Sequence, residues 1–221
     1  MGVLIVVEGL DGAGKRTLSA GLVETWRAHG ASVATLAFPR YGKSVHADLG
    51  AEALRGGHGD TASSIEAMAL LWALDRRDAG GELRKLLADN DIVLLDRYVA
   101  SNAAYTAARH HESASGPSVE WVGDLEFGRF GLPRPDLQVL LRVPVDLAAE
   151  RARTREAADS TRERDAYERD TDLQARTGAV YDGLAADRWA SEWIVAGPDS
   201  DPRQLAVRIS NLLHNGRGVT R

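Results

Sequence analysis

The chain has 221 residues, 44% hydrophobic and 27% charged, and its 27 cationic against 32 acidic side chains leave a net charge of −5. That size suits one domain with a sizeable buried core, and the acidic balance argues against nucleic acid or a membrane surface as partner. Cysteine is absent, which excludes disulfides, cysteine zinc sites and thiol nucleophiles, and the longest apolar run, Ala67–Leu74, is too short to span a bilayer.

Val3–Val7 is a β-branched run bounded by glycines and reads as a strand buried on both faces. It is halted by Glu8 and preceded by no basic segment, so it does not read as a signal peptide, and a cytoplasmic chain is expected. Thr17–His29 has helical spacing of Leu18, Leu22 and Trp26 and stops at Gly30. Ser32–Ala37 reads as a second strand, Ala62–Arg77 as a long apolar helix and Leu83–Ala88 as another. Ile92–Leu95 is a third strand. Ser101–His111 is a helix with Ser101 as its cap, and Val119–Phe130 is helical up to Gly131. Leu137–Val143 is a fourth strand, followed by helices starting at Val145 and spanning Ala166–Leu184. Trp193–Val195 is a short fifth strand, and Pro202–Leu213 a last helix. The alternation predicts an α/β fold: a five-stranded parallel sheet with helices on both faces, in a single domain over 1–214. The charged stretch around 150–165 reads as a lid, and 215–221 as a disordered tail.

Gly9-Leu10-Asp11-Gly12-Ala13-Gly14-Lys15 follows the first strand and opens the first helix. This is the G-x-x-x-x-G-K spacing in the strand–loop–helix setting it requires. The glycines let main-chain amides turn around a phosphate chain, the helix end adds positive dipole, and Lys15 adds a point charge. The competing reading is a simple Gly-rich turn. The residue after Lys15 is Arg16 rather than the Ser or Thr whose hydroxyl would hold Mg²⁺, with Thr17 one position on. Carboxylates are therefore the expected ligands: Asp11, Asp96, Asp165 and Glu168. Ile92–Asp96 is a strand ending in a carboxylate, placed like a Walker B element beside that loop. The six histidines show no metal-ligand spacing.

Asp96-Arg97-Tyr98 runs on into Ser101-Asn102 and Ala104-Tyr105. Together with Glu8–Lys15, Phe38-Pro39-Arg40 and Ala73–Arg76, these segments resemble the thymidylate kinase family, in order and spacing, over roughly Val3–Leu213. Lys15-Arg16-Thr17, Phe38–Tyr41 and Asp165–Asp170 look closest to mycobacterial members. The resemblance implies a three-layer P-loop kinase moving the ATP γ-phosphoryl to dTMP with Mg²⁺ as cofactor, and a homodimer. Within it, Phe38 and Tyr41 line the acceptor site, and Arg97 clamps the acceptor phosphate. Trp72 and Arg76, one turn apart on a helix, stack on the base and donate to its edge. Trp72 stands where the family usually has Phe. Asn102 pairs with the N3–H and O4 edge, and Tyr105 disfavours a ribose hydroxyl. Asp11 sits between the two phosphates.

The stretch Arg151–Arg169 holds 6 arginines in 19 positions. The phosphate loop itself has none between Gly9 and Lys15, which points to a catalytic arginine from the lid: Arg155 first, Arg151 second. Tyr167, with Asp165 and Glu168, fits a segment that closes over the nucleotide. For Trp72 core packing, and for Arg76 a solvated Asp75–Asp78 charge cluster, are the competing readings. A kinase for another nucleoside monophosphate or a deoxynucleoside, or a non-catalytic ATP-binding module, would share the phosphate loop.

Overall fold

The computed structural model describes residues 2–158 and 165–217. Its sheet contains β1 (Val3–Glu8), β2 (Val33–Ala37), β3 (Ile92–Asp96), β4 (Leu137–Leu141) and β5 (Glu192–Ala196), in the order β2-β3-β1-β4-β5. All four pairings are parallel, with Ile5 of β1 opposite Leu94 on one side and Leu137 on the other. Every residue of β1 and β4 is buried. That is why these strands are near-continuous apolar runs instead of alternating ones: helices cover both faces of the sheet.

The helices are α1 (Lys15–Ala28), α2 (Val45–Leu54), α3 (Ile65–Asp89), α4 (Val99–Arg109), α5 (Pro117–Gly123), α6 (Val145–Ala158), α7 (Ala166–Arg169), α8 (Thr171–Ala186) and α9 (Pro202–Arg217). A π-helical turn, Asp124–Arg129, continues α5. Helix α1 buries Leu18, Leu22 and Trp26, one turn apart, and begins at Gly14 in the left-handed region.

Several expectations change. The predicted helices 62–77 and 83–88 are one helix, α3, capped by Ser64, whose hydroxyl accepts from the Ala67 amide at 3.2 Å. Two interior glycines cost such a helix about 1 kcal/mol each. Burial of Ala79, Gly80 and Leu83 against the body of the protein overrides that local preference. The predicted helix 166–184 is broken at Asp170, whose backbone is extended and whose carboxylate caps the Leu173 amide at 2.8 Å. Ser101 caps nothing: α4 starts two residues earlier and Ser101 is buried inside it. Helix α2 has no counterpart in the sequence reading, and α9 runs on to Arg217, into the expected tail.

Glu8, the last residue of β1, is completely buried. Its carboxylate accepts the Tyr98 amide (2.8 Å), the Ser101 hydroxyl (2.6 Å) and the Tyr181 hydroxyl (2.9 Å). It thus pins the segment after β3, and α8 behind it, to the end of the central strand. Removing this acceptor strands buried donors, each worth about 1–3 kcal/mol. Glu8→Ala is expected to lose about 3 kcal/mol of stability, read as a lower urea midpoint at unchanged m-value.

Candidate active site

The carboxyl ends of β1, β2 and β3 open on one cavity of about 850 Å³. Ligands of open parallel α/β sheets bind at this edge. The loop after β1 forms its floor. Gly9 and Gly12 have φ of +144° and +79°, and a Cβ on Gly12 would sit 2.1 Å from the Ala148 carbonyl of α6. Only glycine fits there, because the backbone of α6 lies directly on the loop. Lys15 is buried and folds back onto the carbonyls of Leu10 (2.8 Å) and Gly9 (3.1 Å). Burial, and then the charge of Arg97, pull its ammonium down to about 8 against the opposing pull of Asp11, Asp96 and Glu8.

Arg97 follows β3 with φ +66°, a conformation unusual for a non-glycine residue. Its amide is anchored on the Val7 carbonyl at 2.9 Å. Its guanidinium reaches Asp11 Oδ1 at 2.6 Å, the Ser101 hydroxyl at 3.0 Å and the Tyr181 hydroxyl at 3.3 Å. The other oxygen of Asp11 accepts from the Tyr105 hydroxyl at 2.8 Å. Burial pushes the Asp11 carboxyl up, but Arg97, Lys15 and the Tyr105 bond outweigh it and hold the group well below the usual carboxylate range. Asp11 is therefore an anion at any working pH, and its two oxygens bridge Arg97 and Tyr105.

This bears on the metal set. Among the described residues no three His, Asp or Glu side chains come together as a metal-binding group. Asp165 caps α7 by accepting the Glu168 amide at 2.9 Å, and burial raises its carboxyl pKa. Asp96 differs: its Oδ1 is buried with no hydrogen-bond partner, and the residue lines the cavity beside Lys15. Arg16 and Thr17 line the cavity as well.

The same cavity is lined by the other predicted residues: Phe38, Tyr41, Trp72, Arg76, Asn102, Tyr105 and Tyr167. Trp72 lies against Gly50, where a Cβ would approach its ring to 2.4 Å, and Tyr41 meets it edge-on at 6.5 Å. Trp72 thus both packs and lines. The solvated-cluster reading of 75–78 fails for its first half: Asp75 is buried and accepts from Arg40 Nε at 2.8 Å, and Arg76 is buried in a two-bond ion pair with Glu126 at 2.5 and 2.7 Å. Tyr105 and Tyr167 stack at 5.8 Å with their planes 17° apart. Arg109 donates to the Tyr167 hydroxyl at 2.6 Å, and burial pushes that phenol up to about 12.

From α6, Arg151 reaches the Ala13 carbonyl at 3.2 Å, within the phosphate loop. The side chain of Arg155 and most of the span between α6 and α7 lie outside the described residues. Sequence reasoning missed Glu8, Glu126 and Tyr181. Glu8 left one signal, a lone acid ending an apolar run, whereas Glu126, among Glu120, Asp124 and Arg129, left none.

A family model described as thymidylate kinase matches residues 7–196. The thymidylate kinase of Mycobacterium tuberculosis (strain H37Rv) is 58% identical over 208 residues, covering 94% of this chain and 97% of that protein. Probable thymidylate kinases of Thermococcus gammatolerans and Archaeoglobus fulgidus are 36% and 32% identical over 149 and 157 residues, covering 66% and 69% of this chain and 67% and 70% of theirs. A match of that extent, on a parallel sheet whose phosphate loop and Asp96-Arg97-Tyr98 segment face one cavity, leaves no second assignment: the chain belongs to the thymidylate kinase family.

Proposed function

We propose that this chain transfers the γ-phosphoryl of ATP to the 5′-phosphate of dTMP, giving dTDP. The observation that carries this reading is the shared cavity: the phosphate loop, Arg97 and a set of aromatic, Arg and Asn side chains all line it.

The main-chain amides of Gly9–Thr17 and the N-terminus of α1 hold the donor phosphates, and Lys15 leaves its two carbonyl partners for them. Arg97 turns its guanidinium to the acceptor phosphate, already fixed by Asp11, Ser101 and Tyr181. The acceptor oxygen is nucleophilic as it stands, so no general base is required and catalysis lies in alignment and charge. Arg151, already on the phosphate loop, and Arg155 on the same helix supply the positive charge that the transferring group needs. Phe38, Tyr41 and Trp72 enclose the acceptor nucleoside, and Tyr105, tied to Asp11, occupies the space a 2′-hydroxyl would need. Tyr167 closes over Tyr105 from the lid side.

A divalent ion, which we take to be Mg²⁺, fits the unpartnered oxygen of Asp96, with Asp165 and Glu168 across the cavity as further candidates. It would supply charge neutralisation on the phosphoryl oxygens. A homodimer is part of the same reading. Val45 on α2 and Leu70 on α3, at 63% and 38% exposure, offer apolar surface for it. No helix among the described residues is long and apolar enough to cross a membrane.

Coupled ADP release is expected with dTMP and ATP, and not with thymidine lacking its 5′-phosphate. ATP binding without acceptor-dependent ADP formation would instead mark a non-catalytic module. Arg155→Ala is expected to lower kcat by on the order of 10³ with little change in either KM, and Arg151→Ala to act similarly but less. Steady-state kinetics reads both, and unchanged turnover in Arg155→Ala removes that finger assignment. Lys15 provides a third test. With its pKa at about 8, roughly half of it is neutral at pH 8, and a bound triphosphate favours the charged form. ATP binding at pH 8 should therefore take up about half a proton per site, falling away below pH 7. Calorimetry in buffers of different ionisation enthalpy measures this, and Lys15→Arg, always charged, should abolish it.

A further inference from the structure

Arg76 and Asn102 line the acceptor side of the cavity, and neither is free to choose what it presents. Beneath them lies Glu126, fully buried and outside the cavity lining. It sits in the π-helical turn Asp124–Arg129, an arrangement that recurs at functional sites. Its Oε2 accepts Arg76 Nε at 2.5 Å, and its Oε1 accepts both Arg76 Nη2 at 2.7 Å and Asn102 Nδ2 at 2.8 Å. The second proton of Asn102 Nδ2 goes to the Ala69 carbonyl at 3.0 Å.

A carboxylate and a carbonyl only accept, so the amide nitrogen of Asn102 must face them. What Asn102 retains for a ligand is Oδ1, an acceptor, touched among the described residues only by the Thr106 hydroxyl at a marginal 3.5 Å. Arg76 spends Nε and one Nη2 proton on Glu126 and keeps the protons of Nη1. The two side chains thus offer one acceptor and a set of donors, in a fixed assignment. That pattern complements a pyrimidine with N3–H beside a 4-carbonyl. It faces acceptor with acceptor and donor with donor against a pyrimidine with a bare N3 and a 4-amino group. Such mismatches leave buried polar groups unpaired, which discriminates far more strongly than shape does.

We propose that Glu126 is the positioning residue for base selectivity: it locks Asn102 as an acceptor and Arg76 as a donor, and so admits 4-oxo and rejects 4-amino pyrimidine nucleotides. The proposal rests on the dTMP reading above and adds to it a residue that never touches the substrate. The charge matters as well as the shape. Glu126 accepts from three nitrogens. A glutamine there has one acceptor oxygen and must point an amide donor at one of them.

Glu126→Gln tests this. Relative to the wild type, KM for dTMP should rise about tenfold or more while KM for ATP stays within about twofold, and the preference for dTMP over dCMP in kcat/KM should fall at least about tenfold. Glu126→Asp, which keeps the charge but shortens the reach, should show a smaller loss of the same kind. A purely structural role would lower activity on both acceptors together and leave their ratio alone. That result, or an unchanged ratio in a folded variant, overturns the proposal while the kinase reading stands. A wild type that fails to phosphorylate dTMP overturns both. Should the variants not fold, the wild type still decides: the Asn102 side-chain amide protons, followed by NMR, should stay protected from solvent exchange with dTMP bound, and their release would overturn the assignment.

Discussion

The carboxylate of Glu8 is the point from which the site is built. It ends the central strand and is immediately followed by the phosphate loop, yet its hydrogen bonds run to the neighbouring strand's exit, at Tyr98 and Ser101, and to Tyr181 on α8. One buried carboxylate thereby fixes the phosphate loop and the Arg97-bearing segment after β3 in a common frame. Burying a charge without partners is costly, and here every available oxygen is used, so the segment after β3 has one conformation open to it. The left-handed backbone at Arg97 persists because those contacts over-determine it.

Layered on that anchor are two ion pairs, one half-buried and one fully buried. Asp11 with Arg97 lies at the phosphate loop, and Glu126 with Arg76 ties the π-helical turn to α3. Pairs of this kind add little net stability, since desolvation offsets attraction. Their effect is orientation: each holds a guanidinium in a single pose before any substrate arrives, so little reorganisation is left for the bound state. Tyr105 ties the phosphate loop to α7, because its hydroxyl donates to Asp11 while its ring stacks on that of Tyr167.

The sequence disclosed whatever depends on local pattern. Five strands were legible from their apolar runs and the glycines of the loop from their spacing, and the Asp96-Arg97-Tyr98 segment through the family resemblance. The breaks and continuities of the helices were not: packing against the body of the protein keeps Gly80 helical, and Asp170 breaks its run by capping the next helix through its own side chain. Ser101 looked like a cap and is instead a buried relay, since the partner that makes it so lies 93 positions away. Which acids are already paired is likewise invisible in a list of them: Asp11 is held by Arg97, whereas Asp96 keeps an unpartnered buried oxygen.

The contact of Gly12 with Ala148 carries a consequence for how this chain can vary. Because the missing Cβ at Gly12 is the space in which the backbone of α6 sits, a single added methyl would act as a wedge between the nucleotide loop and the helix that brings Arg151. Loop shape and lid placement are therefore not separate inheritances. A descendant that alters one must move the other in the same step.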